Sequence, residues 1–388
     1  MDAEVLLWLF YFGIAICIII PLMIVIPFVN GTIDLISYRN VVLAGCFPFI
    51  GLSSIGLATG ERPYGYYDME DFFTFAGMAS TFIIVFAVSY NLHRPSQAAV
   101  LMFTGKRIEV SNLVGGALAL IAILLSVLDY VMKRLQYLPV LTELLSALAP
   151  SFMAFAALFA VGGWMKNKSN ILSLAVLIGV FSFSLVYSVV GGSGRRVLLS
   201  VLASIPIYFY WISKNRFSTS TRSQLLIRLF FILIPLGLIV TAYSNVRHYD
   251  RRENENTKIM YSRAINAIQK IPEEILDILS GNKLDTIFLQ IGQDATNCSM
   301  LMSSESRKAG SYNDYSAFRI PTPFHTILFV VTNPIPRSLW EGKPLGLGYM
   351  IPVEVLHVHG ISLGAGIVGH CIHEGGLFFV LFYAILFS

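Results

Sequence analysis

Two adjacent arginines behind a glycine-rich turn are a pattern suited to phosphate. Residues 191–196 read Gly-Gly-Ser-Gly-Arg-Arg and lie between two apolar runs, 171–190 and 197–211. At the start of a helix, Arg195 and Arg196 add cations to a terminus that already carries partial positive charge and unpaired N–H groups. That is unfavourable for the helix alone, and an anion reverses the sign. Gly191, Gly192 and Gly194 permit close backbone approach, and two guanidinium forks match phosphate oxygens bidentately. The competing reading is that both arginines snorkel to lipid headgroups. That reading requires no glycines, and neighbouring helical positions point about 100° apart.

Three further groups carry candidate chemistry. Asn333–Pro344 reads NPIPRSLWEGKP, and its three prolines make it a rigid extended loop. It presents Arg337 and Lys343 with Trp340 between them, which suits sugar stacking beside fixed cations, or an interfacial anchor. Downstream lie His357, His359, His370, His373 and Glu374 in a Gly-rich, otherwise apolar stretch. Ionisable groups near a membrane are costly, and these are proton acceptors suited to general-base work. His370 and His373 are spaced to share a helix face, but no metal-site motif surrounds them. The third group is Asp129, Lys133, Arg134 and Glu143. Asp129 and Lys133 are four residues apart and read as a pair. Arg134 with Glu143 closes a small ion network, with Arg134 as the member open to a substrate role.

The elements that position these groups are membrane helices. The chain has 388 residues, of which 55% are hydrophobic and 13% charged, with a mean hydropathy of +0.69. Soluble domains carry about 25% charged residues, so this chain cannot cover a water-facing surface. The net charge of +4 points to no nucleic-acid role. A crossing helix needs roughly 20 apolar residues. About eight such runs precede residue 245: 5–28, 40–58, 72–91, 112–131, 140–164, 171–190, 197–213 and 225–243. The first lacks a basic leader and reads as a retained span. One set of alternate loops holds Arg39, Arg94, Lys106, Arg107, Lys166, Lys168, Lys214, Arg216 and Arg222. The other holds Arg62, Lys133, Arg134, Arg195 and Arg196. The larger set belongs in the cytoplasm, which turns Gly191–Arg196 and the segment after residue 244 outward.

Residues 245–325 contain runs such as HYDRRENENTK that cannot lie in lipid. The expected organisation is a bundle over 1–244, a long extramembrane loop with its own helices over 245–325, and a Pro/Gly-rich segment over 326–388. That last segment opens a further span, and its final apolar run reads as cut short. Ile265, Ile268 and Ile271 fall on one helical face ahead of Pro272. Asn297-Cys298-Ser299 matches a glycosylation sequon, and Cys298 with Cys371 lacks the spacing of a disulfide framework.

The combination resembles the Wzy-type O-antigen polymerases, which join oligosaccharide repeat units in bacterial envelopes. The likeness is carried by the many-span layout with a late outward loop, by Gly191–Arg196, by Ile335–Pro344 and by GISLGAGIVGHCIHEGG before the last span. Arg337 and Gly348 fit the arginine–ten residues–glycine pattern of such loops. The resemblance implies an all-α, GT-C-like polytopic protein of about nine or more spans, in the bacterial inner membrane with its site facing the periplasm. It implies a glycosyltransferase acting on undecaprenyl-pyrophosphate-linked oligosaccharides, with no metal or other cofactor. Membrane lipids and a chain-length regulator are the further partners expected. Arg195, Arg196 and Arg337 would stabilise the pyrophosphate leaving group. His370, His373 or Glu374 would take the acceptor proton. Arg134, Trp340, Lys343, Gly191, Gly192 and Gly194 would bind substrate. An O-antigen ligase has a similar layout and donor. A flippase for the same lipid-linked sugar would instead place its ionisable groups near mid-membrane.

Overall fold

The computed structural model describes residues 2–60, 63–92, 112–135, 139–166, 171–190, 201–207, 209–210, 222–248, 269–280, 295–308, 323–332, 340, 346–358 and 363–388. Every regular element among them is helical. In chain order these are α1 (Ala3–Val29), α2 (Tyr38–Cys46), which runs through a π-helical turn (Phe47–Leu52) into α3 (Ser53–Thr59), and α4 (Met69–Leu92). Then come α5 (Asn112–Leu135), α6 (Pro139–Lys166), α7 (Ile171–Val190) and α8 (Arg222–His248). After these follow α9 (Ala295–Lys308), α10 (His325–Thr332), α11 (Leu347–Met350), α12 (Gly366–Gly375) and α13 (Leu377–Leu386).

Among the described residues, five helices are long and apolar enough to cross a membrane: Ala3–Val29, Tyr38–Thr59, Met69–Leu92, Val114–Met132 and Arg222–Ile239. Leu148–Trp164, Ile171–Ser184 and Leu377–Leu386 are shorter apolar helices. The chain is therefore an all-α membrane protein. The expected run 197–213 is described only in part. On α1, Leu7, Trp8, Ile18, Leu22 and Ile26 are exposed, a surface suited to lipid and not to water.

The helices fall into two compact units. The first comprises Met1–Phe103, Lys283–Pro334 and Gly342–Ser388; the second comprises Thr104–Asn282 and Ile335–Glu341. The expected boundaries at 244/245 and 325/326 do not coincide with these units, and the segment 245–325 is divided between them.

In the first unit, α1 and the α2–α3 helix meet through small residues. A Cβ at Gly13 would stand 2.7 Å from Ile55 Cγ1 and 2.9 Å from the Gly51 carbonyl oxygen. Close backbone approach of this kind is how helices associate where lipid removes the hydrophobic drive. Arg39, counted above as a loop cation, is buried in α2. Its Nη1 donates to the Met23 carbonyl at 3.0 Å and to Asn40 Oδ1 at 3.1 Å. Pro27 explains the first bond. It lies inside α1 and has no N–H, so the Met23 carbonyl lacks its helical donor four residues on.

The polar helix α9 lies in the core of this unit, although its segment reads as extramembrane. Residues 295–304 are all buried. Burial is tolerated because the polar groups are satisfied. The Thr296 N–H donates to Ser53 Oγ at 2.8 Å, and the Thr296 and Ser54 hydroxyls are 3.1 Å apart. Asn297 Oδ1 accepts from the Tyr64 N–H at 3.0 Å and from the Tyr67 hydroxyl at 2.6 Å. Asn297 is thus a core residue, and the sequon offers no exposed amide. At the far end of α9, Arg307 reaches Asp68, Glu70 and Asp71 at 2.6, 2.9 and 3.1 Å. Hydrogen bonds to Asp68 and Glu70 hold its guanidinium above the ordinary range. Asp68 also caps α4: its Oδ1 accepts from the N–H groups of Glu70 and Asp71, while Asp71 Oδ2 accepts the Asp68 N–H.

The second unit packs α5, α6 and α7 around Ala119, Ala122, Met153, Ala156, Ala157 and Val180. Its alanines allow close helix approach. Asp129, expected to pair with Lys133, is buried and accepts a hydrogen bond from the Tyr187 hydroxyl of α7. The side chains of Lys133, Arg134 and Glu143 lie outside the described residues. Residues 269–279 are helical and include Pro272. Ile271 packs beside Leu202.

Candidate functional site

α12 is a ten-residue helix with glycine in the left-handed region at its start (Gly366, φ 63°) and at its end (Gly375, φ 139°; Gly376, φ 69°). These breaks isolate the run His370-Cys371-Ile372-His373-Glu374 on a short rod. His370 and Glu374 are four residues apart and so share a face. The chain enters α10 through Phe324 at φ 69°, a conformation uncommon outside glycine. The Phe324 ring is held edge-on by Phe379 and Phe382 of α13, at centroid separations of 5.1 and 5.4 Å. This entry sets Thr326 in the first turn of α10, against the His370–Glu374 face.

The resulting network is buried. The Thr326 N–H donates to Glu374 Oε1 at 2.8 Å, and the Thr326 hydroxyl donates to the same oxygen. The Tyr383 hydroxyl of α13 donates to Glu374 Oε2 at 2.5 Å. Three donors thus surround a side chain that is 0% exposed, and together they satisfy a carboxylate. Thr326 Oγ1 also lies 2.7 Å from His370 Nδ1. The rings of His325 and His373 stand perpendicular, 6.4 Å apart, and both are buried.

Of the run His370–Glu374, His370 alone lines a cavity. The cavity measures about 590 Å³ and is also lined by Tyr38, Val42, Gly45, Phe82 and Ala365. Among the described residues of the wall, only Tyr38, Ser299 and His370 carry side-chain oxygen or nitrogen. The Ser299 hydroxyl is occupied by the carbonyls of Ala295 and Ala365, at 2.7 and 3.1 Å. The cavity is an apolar chamber with an imidazole in its wall.

His370 and Glu374 come together through Thr326, and His373 lies buried beside His325. His357 is exposed, with a left-handed backbone at φ 55°, and His359 lies outside the described residues. Trp340 is non-helical and exposed. Arg195, Arg196, Arg337, Lys343, Gly191, Gly192 and Gly194, and the side chain of Arg134, all lie outside the described residues. Cys298 and Cys371 are buried free thiols. No group of three or more His, Cys, Asp and Glu side chains among the described residues could hold a metal ion.

Three members of the network, His325, Thr326 and Tyr383, are absent from the sequence reading. His325 carried a usable signal, an imidazole in the apolar run FHTILFVV. Threonine and tyrosine in apolar helices carry none. Searches against models of known protein families, curated proteins and solved structures find no match for this chain.

Proposed function

We propose that this chain is a glycosyltransferase that polymerises oligosaccharide repeat units carried on undecaprenyl pyrophosphate. In this reading it is a GT-C-like protein of about nine or more spans in the bacterial inner membrane, with its site at the periplasmic face. The observation that carries the proposal is the placement of His370. Its imidazole stands in the wall of an apolar cavity while its other side is tied to a buried Thr–Glu pair. A lipid-linked donor needs both an apolar chamber and a positioned base, and both meet at this residue.

The chemistry balances without a metal. The acceptor hydroxyl loses its proton to His370 as its oxygen bonds to the anomeric carbon of the donor. The bond from that carbon to the pyrophosphate oxygen breaks, and the electron pair leaves with the phosphate. Arg195, Arg196 and Arg337 are the cations assigned to that charge, where fixed charge is most effective. His370 ranks above His373 and Glu374 as base because both of those are enclosed by protein. Trp340 and Lys343 are assigned to sugar and phosphate contacts, and a chain-length regulator is the expected protein partner.

The test is reconstitution in liposomes with lipid-pyrophosphate-linked oligosaccharide as the only substrate and a chelator present. A product ladder spaced by one repeat unit supports the proposal, and His370→Gln should abolish it, as should Arg195→Ala and Arg337→Ala. No ladder, but transfer once lipid A core is added, reassigns the protein as a ligase. No transfer to either acceptor rejects glycosyl transfer.

A further inference from the structure

Which nitrogen of His370 carries its proton depends on what its neighbours donate and accept. Glu374, surrounded by three donors, accepts from the Thr326 hydroxyl. A hydroxyl has one proton. Having given it to Glu374, Thr326 Oγ1 can only accept from His370 Nδ1, 2.7 Å away. His370 is then protonated at Nδ1, and Nε2 holds the lone pair.

We propose that Thr326 is a positioning residue: with Glu374 behind it, it fixes His370 as the Nδ1–H tautomer and leaves Nε2 to take the acceptor proton. The inference rests on the reading of His370 as the base. The chain of roles is the one a carboxylate–imidazole pair uses elsewhere, where the carboxylate holds the ring in the correct tautomer and orientation. Here a threonine hydroxyl is interposed. Two features hold Thr326 in place, a backbone bond and the anchored Phe324 ahead of it. Its N–H is bonded to Glu374, its helix begins at the left-handed Phe324, and that ring is wedged between Phe379 and Phe382. A residue of ordinary packing value would not require its backbone and hydroxyl to converge on the same carboxylate oxygen.

Two measurements test this, one of them independent of turnover. Solid-state NMR of ¹⁵N-histidine-labelled protein in liposomes reports which ring nitrogen is protonated, and the His370 signals are assigned by their loss in His370→Gln. Wild type should show His370 protonated at Nδ1, and Thr326→Val should convert it to a mixture or to the Nε2–H form. Thr326→Ser should preserve the wild-type pattern. An Nε2–H signal in wild type, or an unchanged signal in Thr326→Val, overturns the inference whether or not the protein transfers sugar.

In the polymerisation assay, Thr326→Val should lower kcat by about 10- to 100-fold, part of the 10²–10⁴ that a positioned base supplies. KM should change little, and Thr326→Ser should restore kcat to within about threefold of wild type. Valine keeps the shape of threonine, so equal losses in Val and Ser variants would mark a packing role and reject positioning. Wild-type turnover in His370→Gln would reject the base reading itself, and with it the role assigned to Thr326.

Discussion

The bond between Arg39 and the Met23 carbonyl should exist because of Pro27, and that dependence can be measured. In α1 the Met23 carbonyl would normally accept from residue 27, but proline has no N–H. Arg39 Nη1 supplies the missing donor at 3.0 Å. A hydrogen bond to a charged donor is worth about 1.5–3 kcal/mol net, and a buried carbonyl left bare costs about 1–3 kcal/mol. Replacing Arg39 with Met removes this bond, but it also removes a buried cation and the bond to Asn40. The single-variant value therefore mixes opposing effects. A double-mutant cycle with Pro27→Ala isolates the one of interest. Once residue 27 has an N–H, the Met23 carbonyl regains its helical partner, and Arg39→Met should cost less by about 1–2 kcal/mol. The assay is reversible unfolding in mixed SDS–detergent micelles, followed by far-UV circular dichroism for the four proteins of the cycle. A coupling below about 0.5 kcal/mol, the ordinary limit of additivity, would refute the argument that the proline created the need for the arginine.

Four further outcomes follow from the packing. Gly13→Ala should destabilise the protein by about 1–3 kcal/mol, because its Cβ would press on Ile55 and on the Gly51 backbone. Gly116→Ala, whose Cβ meets nothing within 4 Å, is the matched control and should be neutral or stabilising by up to about 1 kcal/mol. Asn297→Ala should cost about 2–4 kcal/mol, since the Tyr64 N–H and the Tyr67 hydroxyl share its Oδ1, and no glycan should be found on wild-type Asn297. Thermal unfolding in detergent checks the first three values, and intact mass checks the last.

The helices were legible because apolar runs of spanning length leave few alternatives. α1, α2–α3 and α4 begin and end within a few residues of the runs read from composition. Buried α9 was not legible. Its sequence, ATNCSMLMSSESRK, is polar on average and holds no apolar run of spanning length. It is held in the core by hydroxyl and amide contacts with Ser53, Ser54, Tyr64 and Tyr67, which lie more than 200 residues earlier in the chain. The site was half legible for the same reason. His370 and Glu374 stand out as ionisable groups in an apolar stretch, because their type alone is costly there. Thr326 does not, because a hydroxyl in an apolar helix is ordinary; only its place 44 residues from His370 in sequence and 2.7 Å in space gives it a role. Arg39 was misread as a loop cation because a charge at the edge of an apolar run is usually solvated. The proline that explains its burial lies in a different helix.

The cavity yields the prediction that joins fold to function. Gly45 lies on α2 in the cavity wall, and a Cβ built there meets nothing within 4 Å. Gly45→Phe therefore directs a ring into open apolar space without first displacing backbone. Exchanging glycine for a better helix former contributes a few tenths of a kcal/mol or more, and burying ring surface adds about 25 cal/mol per Å² removed from contact with water. The variant should be at least as stable as wild type in detergent. Yet the same ring occupies the space that the proposed function assigns to the lipid part of the donor. Transfer should fall by at least about tenfold, which corresponds to a loss of about 1.4 kcal/mol of donor binding. The loss should appear in KM for the lipid-linked donor first. Residual turnover should keep the wild-type response to Thr326→Val, because Thr326 and Glu374 do not line the cavity and are not touched by the ring. Stability retained with transfer lost separates an occupied chamber from a damaged fold. Stability retained with wild-type KM and kcat would remove the cavity from the reaction and leave His370 without a substrate to face.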